Sequence, residues 1–101
     1  PDYLQAIRQE IDYNAAEFRK IIKAKDFVAN YKELVQEGAL KNAPKGFEKD
    51  NANLDLLRLK EFIVMKKITD KEILAKTFSS DLAKSFKAAL PLNSFLRRVK
   101  D

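Results

Sequence analysis

The residues best placed to do chemistry sit in one charged loop. Pro44-Lys45-Gly46-Phe47-Glu48-Lys49-Asp50-Asn51 runs into Leu54-Asp55-Leu56-Leu57-Arg58-Leu59-Lys60-Glu61-Phe62. Glu48, Asp50 and Asp55 are its carboxylates, and a pair of them could work as acid and base. Beside Lys45 and Lys49, however, loop carboxylates are most simply solvated surface. Asp50-Asn51-Ala52-Asn53-Leu54-Asp55 has the opening of a calcium loop but lacks the central glycine and the closing bidentate glutamate. Arg58 and Lys60 lie where charged and apolar residues interleave. If Leu57 and Phe62 point inward, Lys60 comes near the loop, where it can hold an anion or pair with Asp50. The structural pair is the simpler reading. The chain has no His and no Cys, which removes the commonest general base and all thiolate metal sites. A glycine-rich phosphate loop, a nucleophile elbow and a zinc signature are all missing. No cofactor and no metal is expected.

Helices must position these residues. Leu4, Ile7, Ile11, Ala15, Phe18 and Ile22 recur at spacings of three and four, which predicts an amphipathic helix over about 2–24, capped by Asp2. Asp26 can cap a second helix carrying Phe27, Val28, Tyr31 and Leu34 and ending near Gly38. Residues 39–43 form a short extended piece. Pro44 fixes its own φ and restricts Ala43, while Gly46 admits a positive φ. Phe47 is expected to plug into the core. Asp50 or Asn51 can cap a short helix over 54–59. Glu61-Phe62-Ile63-Val64-Met65 is β-prone and needs either 39–43 or a strand from outside the chain as partner.

Thr69-Asp70-Lys71-Glu72 reads as a capping box opening a helix through Ala75. Ser79, Ser80 or Asp81 can cap the last helix, with Leu82, Phe86, Ala89 and Leu90 on its face. Pro91 is expected to interrupt it, with Leu92, Phe95, Leu96 and Val99 continuing beyond. The predicted fold is α+β, mainly helical: amphipathic helices and a short strand or hairpin that joins a sheet built elsewhere. Residues 1–101 read as a single domain or as the C-terminal half of a larger α+β domain.

Composition bounds the partners. The chain has 101 residues, 46% apolar and 35% charged, with net charge +5. That suffices for one small core. The cations are scattered, so a solvated surface is expected rather than a nucleic-acid footprint. Tyr3, Tyr13 and Tyr31, with Phe18 and Phe27, could stack bases beside Arg19 and Lys20, but aromatics at helical spacing more often build core. Nucleic acid is therefore not an expected partner. No apolar run approaches the roughly 18 residues of a membrane span and no signal peptide is visible, so a cytoplasmic protein is the default and no membrane is expected. Pro1 in place of Met suggests a piece cut from a longer chain.

Taken in order, four groups of residues carry a resemblance. They are Ile7-Arg8-Gln9-Glu10-Ile11; Pro44-Lys45-Gly46-Phe47 with Asp50; Leu56-Leu57-Arg58-Leu59-Lys60 with Phe62; and Leu90-Pro91-Leu92 with Phe95-Leu96. Together they resemble the C-terminal half of a bacterial conserved-hypothetical family, domain of unknown function 2461. No single motif is specific; the ordered set is. The family's most distinctive motif, Arg-Asp-x-Arg-Phe with a following Lys and Tyr, lies in an N-terminal half, so the resemblance implies that half of the same protein as a partner. Where the family has Asp-His-Pro, this chain has Asp50-Asn51-Ala52. The family has no assigned reaction. The resemblance implies an uncharacterised protein binding an unknown small molecule or anion, with most of the site outside this segment. It makes Arg8, Lys45, Arg58 and Lys60 anion-binding candidates and Asp50 a loop or cap residue, with catalytic residues unassigned. The alternative is an interaction or nucleic-acid-binding module using a basic surface. A concave Arg/Lys pocket near the loop favours the first reading, a broad basic face the second.

Overall fold

The spacing of Leu4, Ile7 and Ile11 builds a helix, but one that ends sooner than the periodicity predicts. The computed structural model, which describes residues 3–99, divides the expected 2–24 helix into α1 (Tyr3–Tyr13) and α2 (Ala15–Ile22). Asn14 between them leaves helical geometry at φ −119°, ψ 44°. Its Nδ2 donates to Glu10 Oε2 at 2.7 Å, the competition with the backbone that makes Asn a weak helix former. The joint turns the chain without freeing it. The Asn14 N–H still reaches the Glu10 carbonyl, and the Phe18 N–H the Asn14 carbonyl, both at 3.0 Å. The cap expected from Asp2, like Pro1, lies outside the described residues.

Helix α3 (Lys25–Tyr31) stops well before Gly38, because Lys32 turns to φ 63°. Asp26 lies within its first turn and does not cap it. Gly38 does take a positive φ, 76°, but in a later turn. Among the described residues there is no strand, so the fold is mainly helical rather than α+β. Residues 61–65 carry no regular secondary structure, and a strand requires a ladder. Residues 39–43 do not supply one. The Leu40 N–H donates to the Arg58 carbonyl at 2.7 Å and the Val35 N–H to the Ile63 carbonyl at 3.0 Å, two isolated bonds.

Helix α4 covers only Leu54–Leu57, α5 covers Asp70–Leu74, and α6 runs over Phe78–Leu96 into a 3-10 turn at Arg97–Val99. The capping box is present: Thr69 Oγ1 accepts from the Glu72 N–H at 3.2 Å, and Glu72 Oε1 from the Thr69 N–H at 3.1 Å. Helix α6 begins one residue before Ser79, after Thr77, whose hydroxyl donates to Asp81 Oδ2 at 2.8 Å. Pro91 does not interrupt it. A proline inside a helix costs roughly 3 kcal/mol. Leu92 and Phe95 just beyond it are each 1% exposed, and burying each contributes roughly 1.5–3 kcal/mol. Packing therefore carries the helix through the proline.

The buried face of α6 is Ser85, Ala89, Leu92 and Phe95. Phe86 and Leu90, expected inside, are 64% and 55% exposed. Helices α1, α2 and α3 lie against this face, and the core unites Ile7, Ile11, Phe18, Phe27, Leu56, Leu57, Leu59, Phe62, Leu92 and Phe95. Phe18 meets Phe95 edge to face at 5.0 Å. Arg98 lies 4.4 Å over the Phe95 ring and hydrogen-bonds both carboxylate oxygens of Glu17, closing the end of α6 onto α2. The molecule is elongated, 49 × 27 × 26 Å, because residues 65–77 are all exposed and project beyond the core.

Replacing Pro91 with Ala restores one backbone hydrogen bond at an exposed position. It is expected to stabilise the protein by about 1–3 kcal/mol, raising Tm by roughly 4–8 °C per kcal/mol. A thermal melt reads this directly, and a lower Tm would mean that the packing of the proline ring outweighs the missing donor.

Candidate anion-binding loop

Residues 32–53 carry no helix, and their second half folds into a depression of about 560 Å³. Its lining includes Lys41, Pro44, Lys45, Gly46, Phe47, Lys49, Leu54 and Arg58, and no carboxylate. The loop's shape follows from local chemistry. Pro44 is buried, Phe47 is half-buried against the core, and the Phe47 N–H closes onto the Pro44 carbonyl at 3.1 Å. Gly46 between them stands at φ 91°, where a side chain is strained. From α1, Gln5 Nε2 donates to the Lys45 carbonyl at 3.2 Å, and Arg58 Nη1 makes a long contact of 3.4 Å to the Lys41 carbonyl. These bonds draw two loop carbonyls, at Lys41 and Lys45, onto protein donors.

The far end of the loop is held by side chains of α1 and α2. Asp12 Oδ1 accepts from Asn51 Nδ2 at 3.0 Å and from Asn53 Nδ2 at 3.1 Å. Asn51 Oδ1 takes the Asn53 N–H at 2.7 Å, an Asx turn that leads into α4. Arg19 grips Asp55 with two bonds of 3.0 and 2.7 Å and reaches Asn53 Oδ1 at 3.2 Å. The Arg19 hydrogen bonds hold the Asp55 carboxyl below its usual pKa against the opposing effect of burial, and they raise that of Arg19 in turn. Asp55 is thereby committed to a structural pair.

Of the candidates from sequence, Lys45 and Arg58 come together in the depression, joined by Lys41 and Lys49. The sequence gave no reason to single out those two: a spacing of four suggests one face of a helix, and here it belongs to a loop. Arg8 goes elsewhere. It is 7% exposed, and its Nη2 donates to the Leu59 carbonyl at 2.9 Å. Lys60 is exposed and borders a different, apolar groove with Tyr3, Leu4, Ile7, Phe62, Ile63 and Leu96. Asp50 is exposed and neither caps α4, where Asn53 is the N-cap, nor pairs with Lys60. Among the described residues no group of His, Cys, Asp and Glu could hold a metal ion. No helix is long and apolar enough to cross a membrane.

A family model described as "Conserved hypothetical protein (DUF2461)" matches residues 1–95. No curated protein and no solved structure matches the chain.

Two predictions concern the scaffold of this loop. Gly46→Val places a β-branched residue at φ 91° with its Cβ 3.1 Å from Gln5 Nε2, and should cost about 1–3 kcal/mol in urea melts. Lys45→Ala should stay within about 0.5 kcal/mol; an equal loss would make Lys45 part of the scaffold. The second concerns pH. Asp55 is depressed in the folded chain, so its pair with Arg19 stabilises above the unfolded carboxyl value of about 4. That contribution is lost as pH falls through the folded value. Because the Asp55 side chain is 58% exposed, Arg19→Ala should cost only about 0.5–1 kcal/mol at pH 7, and the difference should vanish in melts under strongly acid conditions.

Proposed function

The chain belongs to the DUF2461 family of conserved hypothetical proteins, and from that premise we propose that it binds a small organic anion in the loop depression. The observation that carries the reading is the lining itself: Lys41, Lys45, Lys49 and Arg58 converge on one concave surface with no carboxylate among them. Hydrogen bonds to charged groups contribute roughly 1.5–3 kcal/mol each. A phosphate or carboxylate touching two or three of these cations would therefore gain a useful affinity even at an open site. Phe47 and Leu54 add an apolar wall, which suits a ligand with an aromatic or aliphatic part beside its anionic group. The depression embraces only one face of such a ligand. The N-terminal half implied by the family resemblance would supply the other face, and any reaction would depend on groups there.

A nucleic-acid surface fits less well. The exposed aromatics Tyr3 and Tyr13 lie on α1 and Phe86 on α6, and none of them lines the cationic depression. A stacking platform needs rings and cations on one groove.

Phenyl phosphate and inorganic phosphate separate these readings in an NMR titration at low salt. Phenyl phosphate is expected to shift the amides of residues 41–49 and to bind several-fold more tightly than inorganic phosphate. Lys45→Gln combined with Arg58→Gln should weaken it about tenfold, equivalent to 1.4 kcal/mol, while Lys84→Gln leaves it unchanged. Small shifts spread over lysines throughout the chain, indifferent to the loop variants, would overturn the assignment.

A further inference from the structure

Residues 61–66 are held in place yet lack the backbone partners that a β-prone sequence is built to use. Their upstream end is fixed where Arg8 takes the Leu59 carbonyl. Phe62 is buried and Val64 packs against the core. At the downstream end Lys66 Nζ donates to Asn30 Oδ1 at 3.0 Å and to Ser85 Oγ at 2.9 Å. Between these anchors, the only backbone hydrogen bond among the described residues is that from the Val35 N–H to the Ile63 carbonyl. A β-strand residue directs its own N–H and C=O to the same side, and its neighbours direct theirs to the other. In such a conformation the Ile63 carbonyl faces residue 35, and the donors and acceptors of Phe62 and Val64 form an outward edge. On the exposed face Ile63 and Met65 are 47% and 72% exposed. A loop meant only for solvent would not carry them.

We propose that residues 61–66 are an acceptor edge for an extended segment of a protein partner, which adds as a β-strand. Fixed anchors lower the ordering cost of such docking. The chemistry of the partner follows from the flanks. Lys60 and Lys67 are exposed and make no hydrogen bond or ion pair among the described residues. The apolar groove bordered by Lys60, Phe62 and Ile63 runs beside the segment, about 460 Å³ in volume. The strand that fits has a β-branched or apolar centre and carboxylates at both ends. A second copy of this chain fits poorly, because the antiparallel register that pairs Phe62 with Val64 sets Lys60 against Lys66 at both ends, and like charges opposite each other destabilise a sheet.

The test uses the whole chain and two blocked peptides, one with a Val-Thr-Val-Thr-Val centre flanked by paired glutamates, the other flanked by paired lysines. The glutamate peptide should shift the amides of Phe62 and Val64 and slow their hydrogen exchange at least tenfold at saturation. The lysine peptide should bind at least tenfold more weakly. Lys60→Glu with Lys67→Glu, both at exposed positions, should reverse that order. Equal binding of the two peptides, shifts confined to residues 41–49, no change at Phe62 and Val64, or pairing of this edge with a second copy would each overturn the proposal.

Discussion

Arg8 donates to the Leu59 carbonyl from inside the protein, and both surfaces of interest hang from that bond. A guanidinium is tolerated at such depth only when it is hydrogen-bonded. The bond answers that need and satisfies a carbonyl that no ladder reaches; an orphaned buried carbonyl costs roughly 1–3 kcal/mol. It fixes residue 59 against α1. Upstream, this places Arg58 at the cationic depression. Downstream, it starts the extended run at Lys60. The residue that looked like a ligand contact is the peg on which the candidate ligand contacts are mounted.

A second buried polar cluster performs the same task at the other end of the molecule. Ser85, 4% exposed on α6, donates to Asn30 Oδ1 at 2.7 Å, and Lys66 donates to both. The Tyr31 hydroxyl donates to the Ser85 carbonyl at 2.5 Å. Desolvation raises the Tyr31 pKa, which keeps the phenol protonated as the donor this bond requires. In a fold without a sheet, side chain to backbone bonds of this kind hold the irregular segments 32–53 and 58–69. Polar networks serve in this way only when their members are paired.

The two proposed surfaces share a sign of charge and differ in shape. The loop is concave and gathers cations; the 61–66 edge is linear and presents backbone. One therefore suits a compact anion and the other an extended acidic chain, and occupancy of one need not exclude the other.

Local chemistry legible in the sequence survives intact. The capping box at Thr69 and Glu72 forms because both partners lie within one turn, and Gly46 takes its positive φ because it alone there can do so cheaply. The apolar positions Ile7, Ile11, Phe18, Leu92 and Phe95 are buried as their types require. What the tertiary structure decided depends on partners far along the chain. Packing of Leu92 and Phe95 carries α6 through Pro91, which local propensity alone would break, and rotates Phe86 and Leu90 to the surface. Missing ladder partners leave 61–65 without a strand. Of the four cations named beforehand, Lys45 and Arg58 reach the depression and Arg8 and Lys60 do not, because their positions depend on how a loop folds back. Spacing along a helix reports a shared face, whereas spacing along an irregular loop reports nothing until distant side chains such as Gln5, Asp12 and Arg19 hold it in place.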